Sequence, residues 1–113
     1  MTELIRDDMT GEEILPIALA VHYLSMEFPV AMRSKKELGL RVEGENRIYK
    51  DYTGPSLEKC LESNEIIKEI PESGPYEGIP VVVVPIRNKA GEAVAAIGVF
   101  DIKYALEEGG AGR

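Results

Sequence analysis

The stretch PVVVVPIRNKAGEAVAAIGVFDI, residues 80–102, sets two apolar runs on either side of a short polar turn. Valine and isoleucine branch at Cβ, and their stiff side chains favour the pleated surface of a strand. The first run predicts a strand over 79–86 and the second a strand over 92–102. Between them, Asn88-Lys89-Ala90-Gly91 suits a type I turn closed by a glycine at positive φ. On the second strand, Val94, Ala96, Gly98, Phe100 and Ile102 share one face, while Ala93, Ala95, Ile97, Val99 and Asp101 share the other. Both faces are apolar, so this strand is expected at the centre of a sheet, covered on both sides. Pro80 and Pro85 bracket the valine strand, and proline belongs at sheet edges or strand ends.

Upstream, EIIKEI reads as a short strand closed by Pro71. Before it, TGPSLEKCLE has Thr53 as a helix cap and Pro55 in the first turn, with Leu57, Cys60 and Leu61 at helical spacing. LRVEGENRIYKDY reads as a hairpin with one wet face: Leu40 and Val42 alternate with Arg41 and Glu43, and Gly44 to Asn46 supply the turn. Nearer the N-terminus, Thr10 and Glu13 have the spacing of a capping box, followed by an apolar stripe of Ile14, Ile17, Ala18, Val21 and Leu24. Pro16 inside that stripe means that the helix either begins near Leu15 or kinks, and Pro29 ends it or begins the next segment. The predicted order is α-β-β-α-β-β-β-α: an α+β domain with a five-stranded antiparallel sheet and helices on one face. One domain is expected over 1–108, with 109–113, GGAGR, as a flexible tail.

A chain of 113 residues supports one domain with an ordinary core. Its net charge of −7 works against nucleic acid, which is bound through clustered cations, and against anionic membranes. Cys60 is the only cysteine and His22 the only histidine, so neither a disulfide nor a Cys-based zinc site can form, and no cofactor is expected. The acidic N-terminus lacks the basic and long apolar regions of a signal peptide, and Ile14 to Val21 is too short to span a bilayer. A reduced, cytoplasmic setting is the expectation.

The closing segment VVVVPIRNKAGEAVAAIGVFDI resembles the final hairpin of GAF and Cache sensory domains, where an apolar strand ends in proline and the return strand ends in Gly-Val-aromatic. That resemblance implies the profilin-like plan shared by PAS, Cache and roadblock domains. A second likeness spans most of the chain. MRSK (32–35), YTGP (52–55) and GPYEGIPVVVVPI (74–86) are similar to a family of small uncharacterised proteins from methanogenic archaea. It implies an archaeal source and a cytoplasmic setting, and carries no functional residues.

Two elements are candidates for a ligand site. AMRSKKELGLR gathers Arg33, Ser34, Lys35, Lys36 and Arg41 in eleven residues, and the Arg33 and Arg41 guanidiniums could clamp a carboxylate or phosphate. DYTGP sets Tyr52, Thr53 and Gly54 at a helix N-terminus, where free backbone N–H groups favour anions. The bland alternatives are a solvated loop and an ordinary strand-to-helix turn. His22 as a general base, Cys60 as a nucleophile and Asp101 at a pocket mouth are weaker candidates than a packed histidine, an inert thiol and a strand-end carboxylate. The small residues Ala93, Ala95, Ala96 and Gly98 leave room for a ligand or for close packing, and interiors are normally filled. No catalytic set assembles. The expected function is a non-catalytic, ligand-sensing or regulatory domain for a small anionic metabolite. The alternative is a roadblock-like interaction module that forms a homodimer.

Overall fold

In the computed structural model, which describes residues 5–104, Thr10 opens the first helix as its spacing predicts. Its hydroxyl accepts from the Glu13 N–H at 3.3 Å, while Glu13 accepts from the Thr10 N–H at 3.0 Å. Helix α1 runs Gly11–Leu24 with Pro16 inside it on the exposed side, so it begins a turn earlier than the proline suggests. It buries Ile14, Ala18 and His22. Leu24, expected on that stripe, is 83% exposed.

The expected five-stranded plan is overturned by the next element. Val30–Ser34 forms a strand, β1, followed by β2 (Gly39–Gly44) and β3 (Arg47–Tyr52). Helix α2 (Pro55–Ser63), β4 (Ile67–Glu69), β5 (Val81–Arg87) and β6 (Ala93–Phe100) complete the core. Among the described residues the sheet has six antiparallel strands in the order β3-β2-β1-β6-β5-β4, with two helices packed on it, rather than five strands with three helices. Ile102–Tyr104 are helical where a C-terminal helix is expected, and the residues after them lie outside the described ones. The tail at 109–113 lies outside the described residues. The PAS/profilin-like order falls with the strand count. Among the described residues, no helix is long and apolar enough to cross a membrane.

Strand β1 escapes a pattern search because it is short, follows Pro29 directly and carries Arg33. Its place is nonetheless central, paired with β2 on one side and β6 on the other. Strand β6, flanked by β1 and β5, is central and buried on both faces as its composition predicts. The small-residue run is closely packed: a Cβ on Gly98 would meet Val83 Cγ2 at 2.8 Å. The turn before β6 closes with Gly91 N–H bonded to Asn88 O at 3.0 Å and Gly91 at φ +85°. Strand β4 pairs only with Val81–Val83, so Pro85 lies where β5 has a partner strand on one side alone.

The two helices lie on opposite faces, against the expectation of one. On one face α1 packs over β1 and β2, burying Ile14 and Ala18 against Val30, Met32, Leu40 and Val42. On the other, α2 packs over β4, β5 and β6, burying Leu57, Cys60 and Leu61 against Val81, Val83, Ala96 and Phe100. Each fully buried Leu or Val contributes about 1.5–3 kcal/mol. This diagonal cover leaves two quarters of the sheet without a helix: the α2 side of β2–β3 and the α1 side of β5.

Candidate functional site

Alternation along β1 and β2 sorts the predicted site residues between the two faces. Arg33 and Arg41 fall on the α2 side, whereas Ser34 falls on the α1 side. There the buried Ser34 hydroxyl donates to Met9 O at 2.6 Å, tying down the segment before α1. Ser34 is thus structural and separate from the arginines.

All three nitrogens of the Arg33 guanidinium are engaged by the protein itself. Its Nε donates to Ser34 O at 2.9 Å, Nη1 to Thr53 Oγ1 at 2.9 Å, and Nη2 to Lys35 O at 3.0 Å, with Glu58 at 3.8 Å. A guanidinium so occupied is a bracket joining β1 to the start of α2. Thr53, expected to cap α2, donates to Glu58 at 2.9 Å instead. Gly54 is the cap residue, without a side-chain bond, and Pro55 opens the helix as predicted. A Cβ at Gly54 would stand 2.7 Å from the Tyr52 hydroxyl, so any larger residue there requires the Tyr52 side chain to shift. The surface beside Arg33, shared with Lys35, Glu58, Leu61 and Glu62, is an open depression of about 410 Å³.

Arg41 is different. It lies opposite Tyr49 in the β2–β3 ladder, and its guanidinium carbon sits 4.2 Å from the Tyr49 ring centre. Tyr52 and Tyr76 bracket it at 5.5 and 5.7 Å. Such cation–π contacts contribute roughly 0.5–2 kcal/mol each. Its Nε is buried and makes no hydrogen bond among the described residues. The nearest carboxylate, Glu43, is 3.8 Å from that nitrogen, close enough for an ion pair and too far for a hydrogen bond.

Glu43 is held elsewhere. It accepts from Tyr76 Oη at 2.6 Å and from Arg47 Nη2 at 2.9 Å. Tyr76 comes from the loop between β4 and β5, and its ring stacks on Phe100 with centres 3.7 Å apart. Burial, reinforced by the hydrogen bond and charge of Glu43, pushes the Tyr76 hydroxyl far above the ordinary phenol range, so it remains a donor. Burial also raises the Tyr52 hydroxyl.

Of the six predicted site residues, Arg41 and Tyr52 therefore belong to one cluster, joined by Glu43, Tyr49 and Tyr76, which sequence reasoning missed. Tyr49 was within reach: counting back from the Gly44–Asn46 turn sets it opposite Arg41. Tyr76 lies on a distant loop and left no such signal. Between Tyr52, Tyr76 and the start of α2 is a cavity of about 20 Å³, room for about one water. The cluster is thus a platform bordered by a slot rather than a closed pocket.

The weaker candidates resolve toward structure. The His22 Nδ1 lies 2.8 Å from Phe28 O, so that nitrogen carries the proton, and Nε2 is buried without a hydrogen-bond partner among the described residues. Cys60 is buried against the sheet, and burial pushes its thiol up. Asp101 follows β6, half-buried, its N–H bonded to Pro80 O at 2.8 Å. Among the described residues, no group of three or more His, Cys, Asp and Glu could hold a metal ion.

Residues 21–103 match a family described as an uncharacterized protein conserved in archaea (DUF2111). Over 104 residues the chain is 39% identical to Uncharacterized protein MJ0405 of Methanocaldococcus jannaschii, covering 92% of this chain and 79% of that one. The likeness carried by MRSK, YTGP and GPYEGIPVVVVPI is borne out at the level of an archaeal family. Neither match extends to PAS, GAF or Cache domains.

Proposed function

We propose that this chain, which belongs to the archaeal family DUF2111, is a non-catalytic regulatory domain that binds a small anionic ligand on the Arg41 platform. The observation that carries the reading is Arg41 itself. Among the described residues, its guanidinium stacks on Tyr49, its Nε–H has no hydrogen-bond partner, and its near carboxylate, Glu43, is engaged by two other donors. An unmet charged donor favours an incoming carboxylate or phosphate, which can accept two N–H bonds at once. Thermal denaturation with a panel of carboxylates and phosphates tests this. A ligand at 100 times its dissociation constant adds ~2.7 kcal/mol to the wild type. The gain is expected to vanish in Arg41→Gln, whereas equal gains in both proteins, or none in either, contradict it.

A second reading, an interaction module that forms a homodimer, draws on the apolar quarter of the sheet. There Val82 is 43% exposed, while Val84, Ile86 and Val99 are partly exposed. Its test is solution mass. A monomer at high concentration removes the homodimer.

A further inference from the structure

We infer that Glu43 is a resident competitor of the ligand, and that the platform is built for anions carrying two negative charges, such as dicarboxylates or phosphate groups. This rests on the reading of Arg41 as the ligand's anchor. Two guanidinium groups flank one carboxylate: Arg47 Nη2 lies 2.9 Å from Glu43 Oε1, and Arg41 Nε lies 3.8 Å from Glu43 Oε2. The three side chains together carry one net positive charge. Arg41 and Glu43 are both shielded from solvent, 17% and 18% exposed, so their charges are screened less than those of surface pairs.

The consequence follows from counting the guanidiniums that each anion can engage. A monoanion pairs with Arg41 alone while standing beside Glu43, and the repulsion, which a dianion also meets, offsets much of what that single contact contributes. A dianion can engage Arg41 and also draw Arg47 away from Glu43, which is easily done because the Arg47 side chain is 65% exposed. Glu43 does not need to leave. Tyr76 Oη donates to it at 2.6 Å and holds the carboxylate in place. That arrangement gives the tyrosine a second role beyond packing: it fixes the competitor's position and so sets how strongly a monoanion is refused.

Glu43→Gln separates this inference from the reading beneath it. Glutamine retains an oxygen for Tyr76 while removing the charge, and an unchanged far-UV spectrum establishes that the variant folds. Titration calorimetry with succinate, inorganic phosphate and acetate is performed on wild type, Glu43→Gln, Arg47→Gln and Arg41→Gln at low salt. For the wild type, succinate and phosphate are expected to bind and acetate not. In Glu43→Gln, acetate becomes measurable and its affinity rises at least tenfold. In Arg47→Gln, the preference for dianions over acetate narrows. If Glu43→Gln leaves acetate binding unchanged while Arg41→Gln still abolishes succinate binding, the competitor role is wrong and the anchor stands. If neither succinate nor phosphate binds the wild type or Glu43→Gln, the anchor itself is overturned and the inference with it.

Discussion

The α2-side face of β2–β3 and the α1-side face of β5 both lie outside the helices, yet they meet solvent in opposite ways. The first is closed by its own polar groups: Arg41 over Tyr49, Glu43 between Arg47 and Tyr76, and Tyr76 on Phe100. The second offers Val82, Val84 and Ile86, apolar side chains that are exposed or half-buried. Helix cover is the same in both places, and the side chains decide the difference. A polar network specifies one arrangement and leaves a charged donor unmet, whereas scattered valines specify little beyond their strand. The proposed ligand site therefore falls in the first quarter, where the unmet donor lies.

The largest expected effect tests how the polar quarter is held. Tyr76→Ala removes the stack on Phe100 and opens the slot beside α2, and should cost about 4 kcal/mol in denaturant unfolding. Tyr76→Phe keeps the stack and loses only the bond to Glu43, so about 2 kcal/mol is expected. Equal losses in the two variants would mean that the hydrogen bond, not the ring, holds the loop.

A smaller effect probes the apolar quarter. Val83 is fully buried on the α2 side of β5, and Val83→Ala should cost about 2 kcal/mol. Its neighbour on the opposite face, half-exposed Val82, should cost within about 0.5 kcal/mol on the same change. Matching losses that shrink on dilution would mean that a partner covers Val82 in solution, which would break the contrast drawn here.

The smallest effect is a pH dependence at the far edge of the sheet. The hydrogen bonds from Lys59 and then Ser56 hold the Glu69 carboxyl below its usual 4.5. A group lowered in the folded state stabilises it fully above the unfolded value, and this contribution fades as pH falls from about 4.5 through the folded value. Glu69→Gln should therefore flatten the acid limb of the stability curve below pH 4.5 and leave Arg41-dependent binding at neutral pH unchanged.

How much was legible follows from where the signals lie along the chain. The β5–β6 hairpin, the β2–β3 hairpin, α2 and the cap of α1 each carry their pattern within a dozen residues, and the structure has all of them. Strand β1 hid because its five residues are central and buried while Arg33 made the segment look like a solvated loop. That charge is accommodated by two backbone carbonyls and Thr53, contacts that depend on the assembled fold. For the same reason the two arginines looked equivalent in sequence. One proved to be a satisfied bracket and the other an unmet donor, a distinction set by partners up to 35 residues away, Tyr76 among them.

The most direct test is to watch the two arginine side chains together by NMR, following their Nε–H signals as succinate is added. Arg33 Nε donates to Ser34 O, whereas Arg41 Nε makes no hydrogen bond among the described residues. The Arg41 signal is predicted to move saturably while that of Arg33 stays fixed. Movement of Arg33 with Arg41 unchanged, or of neither, would contradict the platform as the ligand site.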